Sequence, residues 1–303
     1  MTIDELLKAM PVTVRKMEIA VVNAVDPAIF KMAETALEKS LCTFHFFGPD
    51  KVMRNAMKEA SFSFSEDDRV TFSDASDEVD ASRKAVRQVS EKKAQVLMKG
   101  MVPTSVLLKA VLHKTEGLRT GKVLSHLAGF HLPAYHKMLF LSDSAMNIAP
   151  GLDEKKQIIE NATGAIRSMG ISHPKVAVVA AVETVNPAMQ ATTDAALLTQ
   201  MNRRGQITDC IVEGPLGFDN AVNQSAADSK GISSPVAGDA DLIVVPTIEV
   251  GNILYKSFTY FGNAIVGGML VGAKAPIVLT SRTDSIESKL FSLVMAIRSA
   301  ESN

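Results

Sequence analysis

"APIVLTSRTDSIESKL", residues 275–290, carries an apolar run straight into the marks of a helix start. Ala275-Pro276-Ile277-Val278-Leu279 is short and uncharged, the composition of a buried strand, and the strand reading extends over 275–281. Ser281 and Arg282 stand at its end. Asp284 and Glu287 follow at the D-x-x-E spacing of a capping box. A strand that meets a helix N-terminus gathers unpaired backbone N–H groups and positive dipole at one spot, which suits an anion.

The same strand-then-helix wording recurs along the chain. Apolar runs at 17–24, 42–47, 95–100, 137–143, 175–182, 209–215 and 241–246 alternate with helical spacing at 27–39, 153–168 and 187–203. Strand, helix and strand in succession imply parallel pairing with helical crossovers, so the fold class is α/β. Several strands end in polar or glycine tips: Lys99-Gly100, Ser142-Asp143, Glu213-Gly214 and Ser281-Arg282. Ligands of open parallel sheets sit at such tips, although every strand-to-helix turn also needs polar residues. The serine- and acid-rich stretch 61–82 reads as a solvated connection leading into a helix.

Composition narrows the function. The chain has 303 residues, 47% of them hydrophobic, enough for one large or two ordinary domains. A net charge of -1 gives no basic field for nucleic acid or an anionic membrane. Two distant cysteines, Cys42 and Cys210, make no disulfide framework and fit a reducing, cytoplasmic setting. The opening "MTIDELLKAM" is acidic where a secretion signal would be basic, and the most apolar stretch is interrupted by glycines, Lys274 and Pro276.

Familiar catalytic motifs are absent. No G-x-G-x-x-G follows a strand, and neither "GGMLVGAK" (267–274) nor "GLRTGKV" (117–123) completes a phosphate loop; both read as turns. There is no H-E-x-x-H, C-x-x-C or G-x-S-x-G. The histidines of 113–136 show no metal-ligand spacing and read as surface and turn residues. What remains handles anions: Arg119, Lys256, Ser281 and Arg282. Gly251-Asn252 reads as the opening of a helix that bears Lys256, whose plainer role is to snorkel from a helix surface.

The stretches 234–261 ("SPVAGDADLIVVPTIEVGNILYKSFTYF"), 272–290 and 212–222 ("VEGPLGFDNAV") resemble the phosphate acetyl/butyryl transferase family. The segments 97–130 ("LMKGMVPTSVLLKAVLHKTEGLRTGKVLSHLAGF") and 139–162 are similar to its phosphate butyryltransferase branch. That resemblance implies reversible acyl transfer between coenzyme A and inorganic phosphate, with no cofactor, the coenzyme A thioester being a substrate. It implies two α/β/α domains with mainly parallel sheets and an active-site cleft between them, as in isocitrate/isopropylmalate dehydrogenases. Domain one would be 1–127 plus 267–303, domain two 128–266, and the assembly a homodimer or higher homo-oligomer. The serine–arginine pair of the acetyl-transferring relatives carries over onto Ser281 and Arg282, and an arginine of theirs onto Arg119, here in "LRT". Where those relatives use an aspartate to deprotonate the thiol, this chain has Ser288. Lys99, Thr104, Asp219, Ser234 and Lys256, all within the resembling segments, are expected to bind substrate.

Two alternatives stand beside this expectation. Asp239 and Asp241 in "GDADL" are conceivable metal ligands of a metal- and NAD(P)-dependent decarboxylating dehydrogenase of similar fold, although they flank a strand start and suit a turn cap. The missing aspartate leaves room for a catalytically silent protein that binds coenzyme A or phosphate. Asp284 or Glu287 is a conceivable replacement base, with capping the favoured role for both.

Overall fold

The computed structural model describes residues 17–280 and 284–301. These fall into two compact units: one takes the chain up to Lys122 and again from Gly267, and the other is Val123–Val266.

In the first unit, β1 (Glu18–Val22) is buried from Ile19 onward, as befits a strand covered on both faces. The helix α1 (Pro27–Glu38) follows from local chemistry. Asp26 Oδ1 accepts the Ala28 N–H at 2.9 Å, Pro27 presets the first turn, and Ile29, Phe30, Ala33 and Leu37 form one buried face. Strand β2 (Thr43–Gly48) pairs in parallel with β1, and α2 (Asp50–Ala60) leads on to β3 (Val70–Asp74). Asp77 then caps α3 (Glu78–Ser90) by accepting from Val79 and Asp80. Strand β4 (Val96–Lys99) pairs in parallel with the other side of β1, and α4 (Thr104–Val111) descends from its end.

The second unit opens with β5 (Ser125–His131) and β6 (Leu139–Ser142), an antiparallel pair. Glu154 closes a capping box on the Gly151 N–H at the start of α5 (Leu152–Ser168). Then come β7 (Lys175–Val179), α6 (Gln190–Arg203), β8 (Ile211–Leu216), the short α7 (Phe218–Val222) and α8 (Gln224–Ser229), β9 (Leu242–Val244) and α9 (Ile248–Tyr260). The strand order is β5-β6-β9-β7-β8, parallel from β6 onward. Phe130, Leu141, Ala177, Leu216 and Ile243 form its core, with Tyr255 and Phe258 of α9 packed on them. Lys155 and Asp194 make a buried ion pair at 2.6 Å between α5 and α6.

The chain returns to the first unit through β10 (Ile265–Val271) and β11 (Ile277–Val278), which is antiparallel to β10 and parallel to β4. The last helix, α10 (Ile286–Ala300), is buried along most of its length. Gly267 lets it approach, since a Cβ there would lie 2.9 Å from Met295 and Phe291. The fold is α/β, and its sheet is mixed but mainly parallel.

Three strands depart from the expectations. Stretch 61–82 contains β3, whose Phe72 ring stacks on Phe46 at 5.5 Å. Strand β5 lies within the histidine-rich stretch read as surface and turns. "GGMLVGAK" is strand up to Val271, with the turn confined to Gly272 (φ 93°) and the residues after it. In addition, the described part of the run, 275–280, holds only the two-residue β11, which ends well before the helix begins at Ile286.

Candidate active site

Parallel β1, β4 and β11 end together in the first unit, with Val22 beside Lys99 and Val278 beside Met98. Two predicted site residues and one that was not predicted gather at this carboxyl edge. Lys99 is the half-buried last residue of β4, Thr104 opens α4 in an exposed position, and Thr280 lies buried just past β11. Gly100 makes the crossing possible: a Cβ there would lie 2.4 Å from the Val22 carbonyl and 2.6 Å from that of Asn23. The Asn23 side-chain amide donates to the Met101 carbonyl and fixes the chain on the far side of that crossing.

Ser281 and Arg282 lie outside the described residues. The start of α10 beyond them is well defined. Its N-cap is Ser285, whose Oγ accepts the Ser288 N–H at 3.1 Å. The expected box of Asp284 and Glu287 is therefore displaced by one residue: Asp284 precedes the cap, and Glu287 is an exposed acid in the first turn, favourable to the dipole. Ser288 is buried at 8% exposure, and its carbonyl accepts from Ser292 Oγ at 2.8 Å. Ser292 Oγ in turn accepts the Gly268 N–H at 2.9 Å, so Ser288 sits one helical turn before the residue that meets β10.

Arg119 does not join this group. The Leu118 carbonyl accepts the Lys274 N–H at 2.9 Å, and Thr120 Oγ1 donates to the Gly272 carbonyl at 2.5 Å. Gly272 to Lys274 precede β11, so exposed Arg119 is tied to the amino edge of the same strands. The cause is topological. Helix α4 carries the chain from the carboxyl edge back to the opposite one.

In the second unit, Asp219 is an exposed member of α7, 4.0 Å from Lys230 Nζ, which also pairs with Glu183 at 2.9 Å. Ser234 Oγ accepts the Val236 N–H at 3.2 Å and helps line an open depression of about 470 Å³ with Gln224, Asp228 and Ile232. Lys256 is exposed, its Nζ 5.3 Å from the Tyr255 ring centre. Helix α9 begins at Ile248, not at Gly251, so Lys256 stands well inside it. Gly251 serves close packing instead: a Cβ there would lie 2.5 Å from the Asp143 carbonyl.

The tip Ser142-Asp143 proves richer than its sequence suggests. Asp143 accepts from the Ala145 and Met146 N–H groups and from Asn147 Nδ2, and Ser144 Oγ lies 2.9 Å from His126 Nδ1. Burial pushes the His126 imidazole below its ordinary pKa, against the pull of Asp143, which favours the neutral ring. One histidine among several in 113–136 gave no signal for this cluster.

Asp239 and Asp241 are committed elsewhere. Lys137 Nζ lies 2.8 Å from Asp239 and 2.7 Å from Asp241, and Lys175 Nζ lies 2.5 Å from Asp239. Asp241 also accepts the Lys175 N–H at 2.8 Å. Ammonium groups already occupy the space a divalent ion would need beside these carboxylates, so the donor set does not suit a metal. Among the described residues no group of three histidine, cysteine, aspartate or glutamate side chains could hold one.

Comparison with known proteins supplies the chemistry. The family model described as phosphate acetyl/butaryl transferase matches residues 53–297. The chain is 50% identical to a probable phosphate butyryltransferase of Bacillus subtilis over 93% of each chain. It is 39% identical to the phosphate butyryltransferase of Clostridium beijerinckii, over 99% of this chain and 98% of that one. A crystal structure of a branched-chain phosphotransacylase from Enterococcus faecalis superimposes with a TM-score of 0.81 at 37% identity, covering 94% of this chain and 99% of the other. A family match over most of the length, with close relatives covered almost end to end, settles the assignment: the chain belongs to the phosphate acetyl/butyryl transferase family of acyl-transferring enzymes.

Proposed function

We propose that the protein reversibly transfers a short-chain acyl group, butanoyl or similar, from coenzyme A to inorganic phosphate. A phosphate oxygen attacks the thioester carbonyl, the C–S bond breaks, and acyl phosphate and coenzyme A leave, the thiolate taking up a proton. The observation that carries this reading is the convergence of Lys99, the start of α4 and Thr280 at one carboxyl edge, in a chain of this family.

Both substrates are anionic, so the site must first offset their repulsion. Arg282 is proposed to hold phosphate and the developing oxyanion, with Ser281 and Ser288 positioning and Lys99 and Thr104 binding. Asp219, Ser234 and Lys256 are proposed for the remainder of the long acyl-CoA, and Arg119, at the opposite edge, meets at most a remote part of it. One oxyanion donor contributes about 2.7–4 kcal/mol. Ionising a thiol of pKa about 8.5 at neutral pH costs only about 2 kcal/mol, so the reaction tolerates a serine where relatives have a base.

The proposal includes the family's two-domain organisation, 1–127 with 267–303 and 128–266, with an active-site cleft between them in the manner of isocitrate/isopropylmalate dehydrogenases. It also includes a cytoplasmic homodimer or higher homo-oligomer. Ile253, Tyr260 and Phe261, 64%, 75% and 88% exposed on and just after α9, support the self-association. Among the described residues no helix is long and apolar enough to cross a membrane.

Thiol release from an acyl-CoA panel tests the reaction. Release should require phosphate, and butanoyl-CoA should exceed acetyl-CoA in kcat/KM by a modest factor, since a methylene in an apolar pocket is worth about 1–3 kcal/mol. Binding of coenzyme A without phosphate-dependent release would support the silent binder instead.

A further inference from the structure

Three neighbouring strands of the first unit bring a glutamate, a histidine and a serine into one line. Glu18 opens β1, His45 lies in β2 and Ser73 in β3. The register explains how residues so far apart in sequence meet. Ala20 stands beside His45, and Phe47 beside Ser73. Side chains two apart on a strand share a face, so Glu18, His45 and Ser73 lie on the face against which α3 packs. From that helix Gln88 donates to Glu18 Oε1 at 2.9 Å.

The contacts along the line have a direction. Ser73 Oγ lies 2.8 Å from His45 Nε2, and Glu18 Oε1 lies 3.6 Å from Nδ1, the other ring nitrogen. The Phe47 ring stacks on the imidazole at 4.2 Å and holds its plane. Burial pushes the Glu18 carboxyl up, but bonds from His45 and Gln88 outweigh it and leave its pKa below the ordinary value. Glu18 is therefore an anion at neutral pH. An anion beside Nδ1 favours the ring proton there, which leaves Nε2 as acceptor and Ser73 as donor.

Ser73 is half-buried on β3, the edge strand, where water alone would satisfy its hydroxyl. The fold does not need a histidine as its partner. The Ala75 N–H donates to the Gly48 carbonyl, so the Asp74 N–H points to the side away from β2. Lys84 Nζ, shared with Asp80, brings a cation to 2.8 Å from the Asp74 carbonyl. A nucleophile bonded to a base, with the base oriented by a third group, is the arrangement of covalent acyl transfer, recognised by geometry and not by sequence position.

We propose that Ser73, His45 and Glu18 form a second catalytic centre, which hydrolyses small acyl esters. Ser73 Oγ attacks the ester carbonyl and His45 Nε2 takes its proton. The C–O bond breaks, His45 returns the proton to the leaving alcohol, and the acyl group stays on Ser73. Water then attacks the acyl-serine and gives a proton to His45. The carboxylic acid leaves, and Ser73 recovers its proton from His45. Glu18 acts through His45 as a positioning residue, and the Asp74 N–H and Lys84 are donors for the oxyanion. The centre uses neither coenzyme A nor phosphate, so it stands independently of the function proposed above.

The test treats wild-type protein, Ser73→Ala, His45→Gln and Glu18→Gln with a fluorophosphonate, which traps activated serines, and locates the adduct by peptide mass spectrometry. Hydrolysis of p-nitrophenyl acetate, phosphate-dependent thiol release and melting temperature are read alongside. Wild-type protein should carry the adduct on Ser73. Labelling and hydrolysis should fall to background in Ser73→Ala and by about 10²-fold or more in His45→Gln, the scale of a lost general base. Glu18→Gln should lower kcat for the ester by at least about 10-fold with KM unchanged, as loss of the orienting group does. Thiol release should be the same in all four proteins. An unlabelled Ser73 in wild-type protein would overturn the inference. So would labelling of His45→Gln at the wild-type rate, or ester hydrolysis that survives Ser73→Ala in full. Thiol release and melting temperature that fall together with labelling in every variant would assign the three residues to the fold and equally sink it. If His45→Gln does not fold, Glu18→Gln decides, and an unchanged kcat there would refute the proposal.

Discussion

Two buried lysines, one in each unit, meet different groups. Lys155 faces the Asp194 carboxylate at 2.6 Å, and Gln190 donates to the other carboxylate oxygen. Lys289 donates to a backbone carbonyl beside the stretch that holds Ser281 and Arg282. The first lysine answers a charge that the fold itself has buried. The second holds the Asp284 carbonyl at the start of α10. A lysine that answers a buried carboxylate cannot be removed alone without leaving that charge behind.

The contrast can be broken at its largest effect. Lys155→Met leaves Asp194 without its cation and should cost about 3–5 kcal/mol, the range for breaking a buried pair from one side. The double change Lys155→Met with Asp194→Leu should recover much of it. Denaturant melts of both decide the matter: a double variant as unstable as Lys155→Met would break this reading of the pair.

Next in size is Arg282→Ala, expected to lower kcat by about 10²–10³ through loss of one preorganised donor. Lysine lacks the planar fork that matches phosphate, so Arg282→Lys should restore only part. Single-turnover rates at saturating phosphate check both. Smaller again is Ser285→Ala, which removes the observed cap of α10 and should cost about 0.5–2 kcal/mol in a thermal melt. Glu287→Gln should cost less than about 1 kcal/mol and leave kcat unchanged, because Glu287 is an exposed first-turn acid that favours the dipole. A fall in kcat to match Arg282→Ala would make it the replacement base.

The gentlest test uses acid. Burial pushes the Asp239 carboxyl up, but hydrogen bonds from Lys137, Lys175 and His136 outweigh it and hold the pKa well below the usual carboxylate range. A depressed folded-state pKa means that this stabilisation is complete above the unfolded value of about 3.9 and is lost as pH falls below it. Melting temperature followed from about pH 6 to about pH 2 should therefore drop at the acid end, and Asp239→Asn should show a shallower drop.

Much of the architecture was legible because buried parallel strands are written as short apolar, β-branched runs. Alternation of apolar and polar residues was not required for β1, β4 or β7, each buried almost throughout. Strand β3 escaped because it is a half-exposed edge strand inside a serine- and acid-rich stretch. Strand β10 escaped because its two glycines, one of which admits α10, resemble a turn. The strand tip at Lys99-Gly100 could be read directly. Helix starts could not be fixed to the residue: Ser285 outcompeted Asp284 as a cap, and Gly251 answers to the packing of α9 against Asp143 and Ser144. Arg119 shows that linear order hides which edge of a sheet a loop reaches, since a crossover helix moves the chain to the other side. Lys289 was invisible because a lysine in a helical pattern reads as surface.

The placement of β11 has a consequence for synthesis. Ile277 pairs with Leu97, and everything from β5 to β9 lies between them in the chain. On the ribosome the edge of β4 must therefore wait, unpaired, until the chain has emerged as far as Val278. Contacts of such high sequence separation form slowly, and an open strand edge is a template for pairing with another chain. Early folding of Val123–Val266 would shorten the wait by drawing its two ends together before β11 arrives. Nascent chains released before β11 should consequently be found with chaperones or in aggregates, even though β1 to β4 are already complete.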